Sequence, residues 1–177
     1  MVSGITSMAA AGSGYEIRAA TEDDAAHIAR IVQLAYARYV PRIGKPPAPM
    51  LDDYERRVAE GVVWVIEQGD CVAGLIVLIS QPDHLLLDNV AVAPGYQGRG
   101  LGRRLLAFAE SLARGRGYRE IRLYRHELMV ESQRLYARMG YEETDRRIEA
   151  GYSRVFMRKL LDVPEEPPRW RWDDRSA

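Results

Sequence analysis

The sequence is short of several things, and each shortage excludes something. Cys71 is the one cysteine among 177 residues, which rules out an internal disulfide framework and a cysteine-based zinc ribbon and fits a reducing, intracellular setting. No apolar run approaches the roughly 20 residues that a membrane span needs. Residues 1–14 are small, without a basic start or an adequate apolar stretch, and read as a flexible leader rather than a secretory signal. The expectation is a soluble cytoplasmic protein with no membrane partner. Net charge is also missing: 25 basic and 25 acidic residues cancel, so no whole-protein field draws the chain onto nucleic acid or anionic lipid, and any cationic site has to be local. Lysine is nearly absent. Only Lys45 and Lys159 occur, and the remaining basic residues are arginines, whose planar fork suits fixed contacts to phosphate or carboxylate. His27, His84 and His126 are too dispersed for a metal site.

What is present suits one domain with a real core: 47% of residues are hydrophobic in a chain of ordinary domain length. Tyr15–Ala19 alternates like a short strand. Thr21 then offers an N-cap with acids behind it, and Ala25, Ile28, Ala29, Val32, Ala35 and Tyr36 recur at helical spacing. Pro41 to Pro49 holds four prolines and Gly44, a composition that argues against regular helix or central strand. A helix is expected over about Leu51–Glu60. Val62–Ile66 and Val72–Ile79 are β-branched runs around Gln68-Gly69-Asp70, which reads as a hairpin, and His84–Val92 continues the sheet. From Gly100 to Arg116 the leucines and alanines fall on one helical face, with Arg103, Arg104, Glu110 and Arg114 on the other. A strand at Ile121–Tyr124, a helix at Glu131–Met139 stopped by Gly140, and strands at Tyr141–Arg147 and Tyr152–Leu160 complete residues 15–161. Residues 162–177, rich in proline and carrying Trp170 and Trp172, form no regular element and read as a tail with aromatic rings suited to docking. The fold class is mixed α/β (α+β), a single domain with a central sheet of about six to seven strands and about four helices.

The chemistry concentrates in Leu87-Asp-Asn-Val-Ala-Val-Ala-Pro-Gly-Tyr-Gln-Gly-Arg-Gly-Leu-Gly102, where a strand runs into a glycine-rich turn that opens an amphipathic helix. Glycines at 98, 100 and 102 remove Cβ atoms, so successive N–H groups can converge at a helix N-terminus and bind an anion such as a phosphate. A Walker loop fails on these letters because Leu101-Gly102 stands where Lys-Ser/Thr is required. A dinucleotide fingerprint fails because Arg103 occupies its third glycine position.

Gln97, Gly100 and Gly102 meet the Gln/Arg-x-x-Gly-x-Gly/Ala pattern, and the segment resembles motif A of the GNAT superfamily, the GCN5-related N-acetyltransferases. Val90-Ala-Val-Ala-Pro-Gly-Tyr96 is similar to that family's fourth strand and turn. Leu135-Tyr-Ala-Arg-Met-Gly-Tyr141 is similar to its Leu-Tyr-x-x-x-Gly-Phe/Tyr helix end. The resemblance implies a splayed fourth and fifth strand, with acetyl-CoA as acyl donor and no metal. It places the pyrophosphate on the backbone of Gly98, Arg99, Gly100, Leu101 and Gly102, and the pantetheine arm against the backbone of Val90 and Val92. Arg99, Arg103, Arg104 and Arg138 are phosphate-side candidates. Tyr136 matches the tyrosine that protonates the departing thiolate in many members. Ser132 stands where many members have asparagine, and retains one hydrogen-bonding group toward the cofactor.

The general base is open among Asp88, His84, Glu127, His126 and water. The resemblance therefore implies an N-acetyltransferase acting by direct attack of a primary amine, on a small molecule or peptide, in a ternary complex. The alternative is a non-catalytic acyl-CoA sensor or assembly module. Homodimerisation is an expectation by analogy with the fold.

Overall fold

The structure, a computed structural model, describes residues 14–162. Residues 1–13 of the leader expected over residues 1–14, and the segment carrying Trp170 and Trp172, lie outside the described residues. In chain order the elements are β1 (Glu16–Ala19), α1 (Ala25–Tyr36), α2 (Val40–Ile43), α3 (Tyr54–Ala59), β2 (Val63–Gln68), β3 (Cys71–Ser80), β4 (Leu85–Val92), α4 (Leu101–Gly115), β5 (Glu120–His126), α5 (Val130–Arg138), β6 (Glu142–Glu149) and β7 (Tyr152–Leu160). The strands form one seven-stranded sheet in the order β1-β2-β3-β4-β5-β7-β6. Every pairing is antiparallel except β4 with β5. The connection between those two carries α4, as a parallel pair requires.

The two faces of the sheet hold two cores. On one, Leu101, Leu105, Leu106, Ala109 and Ala113 of α4 and Tyr136 of α5 pack on Ile76, Leu78, Leu85, Leu87, Ile121 and Leu123. On the other, Ile28, Ile31, Val32 and Tyr36 of α1 and Tyr54 and Val58 of α3 pack on Val63, Val65, Leu75, Val77 and Ala91. Each fully buried leucine or isoleucine contributes about 1.5–3 kcal/mol by leaving water, so these faces fix the layers.

Local signals set the boundaries. Thr21 and Asp24 form a capping box: Asp24 Oδ2 accepts from the Thr21 N–H at 2.8 Å, and a 3-10 turn at Glu22–Asp24 leads into α1. Gly69, at φ +58, makes the two-residue turn between the paired Gln68 and Cys71.

Three expectations are corrected. The proline-rich stretch is not free of helix: it contains α2 and a 3-10 turn at Ala48–Leu51. Pro41 lies in the first turn of α2, where its missing N–H has no partner to lose, and Gly44, at φ +84, ends that helix. The next helix starts at Tyr54 rather than Leu51, because Asp53 caps it by accepting the Arg56 N–H at 3.0 Å. Glu110 is not on a solvated face. It is 8% exposed and receives Lys159 of β7 at 2.7 Å, a pairing that compensates its burial.

β3 and β4 run in register from Ser80–Leu85 to Leu78–Leu87, then skip one residue: the next pair is Val77–Asn89. Asp88 is the extra residue, a β-bulge, and it reverses the alternation. Leu85 and Leu87 face the α4 side before it, whereas Asn89 and Ala91 face the α1 side after it. The parallel pairing with β5 also stops there, at Leu87–Leu123. Close packing against this edge is tested at Gly74, opposite Val92. A Cβ on Gly74 would lie 2.7 Å from the carbonyl oxygen of Ala91. Gly74→Ala is expected to destabilise the fold by about 1–3 kcal/mol, measured by denaturant unfolding.

Candidate functional site

Past Leu87 and Leu123 the two central strands are no longer paired through their backbones, and the edge of β4 that would have met β5 is open. Ala93 N–H bonds Ala73 O of β3 at 2.8 Å, so by alternation Val90 and Val92 turn their backbone groups away from β3. Side chains reach those groups instead. Gln97 Nε2 donates to Val92 O at 3.0 Å and the Tyr36 hydroxyl lies 3.4 Å from Val90 O.

The glycine turn stands at the end of this edge. Gly98 and Gly100 both have φ +79, a conformation other residues rarely adopt, and Gly100 caps α4. Among the described residues no oxygen of the chain accepts from the N–H groups of Gly98 to Arg103; the first bond of this turn is Arg104 N–H to Gly100 O at 3.2 Å. This row of free donors sits at the positive end of a fifteen-residue helix. Leu101 is buried, so only its backbone is available there. Gly102 belongs to the same cleft: a Cβ on it would stand 3.4 Å from Leu135.

Val90, Val92, Gln97, Gly102, Ser132 and Tyr136 line one cleft of about 190 Å³, together with Tyr36, Arg38, Arg125 and Glu131. Ser132 donates to Met129 O at 2.8 Å. Its oxygen can still accept a bond. The arginines expected near phosphates are on the exterior: Arg103, Arg104 and Arg138 are exposed. Arg99 bonds Tyr15 Oη at 3.3 Å and Gly95 O at 3.1 Å, and Arg104 bonds Tyr15 O at 3.0 Å.

Tyr136 is fully buried, and burial pushes its phenol above the ordinary tyrosine range while Arg125 acts in the opposite direction. Arg125 Nε donates to Tyr136 Oη at 3.0 Å, Nη2 makes a second contact to it, and Nη1 donates to Tyr36 Oη at 3.2 Å. Tyr36 in turn donates to Asn89 Oδ1 at 2.6 Å, Asn89 Nδ2 donates to Tyr54 Oη at 2.9 Å, and Tyr54 donates to Pro49 O at 2.9 Å. This chain of polar groups crosses the gap between β4 and β5. Burial raises Tyr36 to about 12, so it remains a neutral phenol.

Beyond the partition made by Tyr36, Arg125 and Met129 lies a smaller cavity, of about 40 Å³, bounded by Pro47–Pro49, Asp88, Tyr124, His126, Tyr152 and Arg154. A surface groove continues from it past Asp52, Arg57 and Asp88. Of the four base candidates, Asp88 and His126 face this cavity. Glu127 does not line it, and His84 lies at the far, paired end of β4, bonded to Asp83 at 2.7 Å. Asp88 Oδ1 accepts from the Tyr124 hydroxyl at 3.1 Å, and Arg57 is 3.7 Å from Oδ2. His126 Nδ1 accepts the Leu128 N–H at 3.2 Å, so its neutral ring keeps a proton on Nε2, and burial pushes its pKa down. Among the described residues no group of three or more His, Cys, Asp or Glu is placed to hold a metal ion.

Arg125, Tyr36 and Asn89 were not singled out as site residues from sequence. The signal for Arg125 is its phase: Ile121 and Leu123 are buried, and Arg125 is the next residue on that face.

The model of the acetyltransferase (GNAT) family matches residues 28–141, and the chain belongs to this family. Curated relatives include mouse N-alpha-acetyltransferase 80, 40% identical over 65 residues that make 37% of this chain and 19% of that protein. Rat N-acetyltransferase 8F1 is 28% identical over 95 residues, 50% of this chain and 43% of its own. The chain thus spans less than half the length of these relatives. Among solved structures, the PaiA N-acetyltransferase of Thermoplasma acidophilum in complex with coenzyme A superposes with a TM-score of 0.72 at 17% identity, over 84% of this chain and 99% of that one. The yncA protein of Salmonella typhimurium, solved with acetyl-CoA, gives 0.66 at 25% identity, over 89% and 99%.

The central polar chain has a measurable cost of disruption. Asn89→Ala strips partners from two buried phenols and is expected to destabilise the fold by about 1–3 kcal/mol, read from the midpoint of chemical denaturation.

Proposed function

We propose that the protein is an N-acetyltransferase that moves an acetyl group from acetyl-CoA to a primary amine of a small molecule or peptide, by direct attack in a ternary complex. The observation that carries this reading is convergence. Free N–H groups of a glycine turn, an unpaired strand edge and a buried phenol meet at one cleft, with a carboxylate in the adjoining cavity. The residues present fit the donor. Gly98 to Gly102 would hold its pyrophosphate, with Gln97 and Ser132 as side-chain contacts, and Val90 and Val92 would pair with its pantetheine amides. Bound there, acetyl-CoA supplies the activated thioester carbonyl.

The chain's own groups divide the remaining work. Backbone N–H on β4 polarises the carbonyl, a fixed dipole needing no reorganisation. Tyr136 gives its proton to sulfur as the carbon–sulfur bond breaks. Asp88 takes the amine proton, directly or through water; it suits this role better than His126, whose neutral ring presents a donor. Tyr36, Arg125 and Met129 line both cavities, so the reacting atoms would meet beside them, at the fork of the strands. The acceptor approaches past the Pro47–Pro49 segment. The free, exposed Cys71 suits a reducing, cytoplasmic setting, and no helix among the described residues is long and apolar enough to cross a membrane.

The direct test is calorimetric titration with acetyl-CoA and CoA, followed by a screen of amines and peptides for release of free thiol. Binding with amine-dependent thiol release is expected. Binding without release across the screen favours an acyl-CoA sensor, and no binding at millimolar CoA overturns both readings. Within an active pair, Tyr136→Phe is expected to lower kcat by about a hundredfold or more while CoA affinity stays near wild type; unchanged turnover removes the acid role.

A further inference from the structure

Arg125 is the group in the site that the reaction scheme leaves without a task. Its side chain is buried, at 4% residue exposure. Its hydrogen-bond partners among the described residues are two phenols, Tyr136 and Tyr36, and not a carboxylate. The carboxylate in the adjoining cavity, Asp88, contacts Tyr124 and Arg57 instead. A guanidinium buried without an acid costs several kcal/mol, and a hydrophobic residue would continue the face of Ile121 and Leu123 at lower cost.

The two phenols differ in what they have left. Tyr36 has committed its proton to Asn89 at 2.6 Å. Tyr136 accepts two N–H groups from the one cation, while its own proton has no acceptor among the described residues. With both lone-pair directions occupied by the fork, the O–H is the remaining polar function of Tyr136, at the wall of the cleft. A lysine could not hold it this way, because an ammonium is a point donor without the planar fork.

We propose that Arg125 is a positioning residue for Tyr136: it fixes the phenol with its proton turned into the cleft and provides the cation beside the phenolate that forms when the proton leaves. This rests on the acetyl-transfer reading. As Tyr136 gives up its proton, the O–H bond breaks and an S–H bond forms on the departing thiolate. The phenolate electron pair stays on Oη against Arg125. Solvent returns a proton to Oη before the next turnover, matching the one the amine has lost. Burial opposes the phenolate and Arg125 favours it. The other groups facing Tyr136 are Tyr36 on α1, Tyr39 in the turn after it and Tyr141 after α5; Asp88 on β4 acts through Arg125.

The experiment uses the free full-length chain with 13Cζ-labelled tyrosine, the Tyr136 signal being assigned by its loss in Tyr136→Phe. Titration of Arg125→Gln is expected to raise the Tyr136 midpoint by about one pH unit or more, a tenfold weaker ionisation, and Arg125→Lys to raise it less. In turnover, kcat falls in the order wild type, Lys, Gln, with KM for acetyl-CoA little changed and the alkaline limb of kcat moved upward in Arg125→Gln. A wild-type Tyr136 that ionises no more readily than in a folded Arg125→Gln overturns the proposal. Should that variant not fold, Arg125→Lys carries the test, and wild-type titration together with wild-type kcat in it overturns the proposal. Absence of amine-dependent thiol release in the wild type sinks the acetyl-transfer reading instead, and leaves the phenol titration standing as a separate result.

Discussion

Asp88 is one residue too many for the register of β4 on β3, and the site follows from that surplus. The bulge reverses which side chains face which core and coincides with the last rung between β4 and β5. Beyond it the two strands part, β4 staying paired with β3 and β5 with β7. Backbone groups that a continuous sheet would have consumed are left for other partners. Unpaired buried backbone is costly, so the chain meets part of the need with side chains, the Gln97 amide on Val92 and the Tyr36 hydroxyl near Val90. Both contacts are single bonds that a competing partner could replace without unfolding anything.

The gap is also where the two cores approach one another, and it is filled by polar groups rather than methyls. Arg125 comes from the face of α4 and α5, and Tyr36, Tyr54 and Asn89 from the face of α1 and α3. Such a network stabilises only when it is complete, since each member removed leaves a buried neighbour unpaired. Its rigidity orders the hydroxyls on both sides of the partition. The site is therefore built on strands and on helices of both faces, with the Pro47–Pro49 segment held by Tyr54 and, through Pro46, by Tyr152.

Much of this was legible from residue patterns. The β-branched runs marked β2 and β3, and the leucine spacing marked α4, because both periodicities are sampled several times over. The glycine turn was legible since Gly98 and Gly100 have no good substitute at φ +79. The prolines of residues 41–49 misled in part: Pro41 is harmless in a first helical turn, so composition could not tell a short helix from an irregular crossing. Glu110 misled because its partner, Lys159, lies 49 residues away on the strand β7. Arg125 was missed because the β-branched and aromatic signal ends at Tyr124, whereas the strand runs on to His126. Its backbone partners lie on β7, at a distance in sequence that no local pattern reports.

The junction of β4 with β5 consists of three residue pairs, Leu85–Ile121, Leu86–Arg122 and Leu87–Leu123. Past them, the two halves of the sheet are joined by α4 and by side-chain contacts, the polar network and the Tyr124–Asp88 bond among them. A molecule lying along Val90 and Val92 would serve as a borrowed strand, restoring rungs the polypeptide does not make. Occupancy and cohesion are then one property of this architecture: whatever fills the fork also splices the halves, and protection of β4 amides from solvent exchange rises with it.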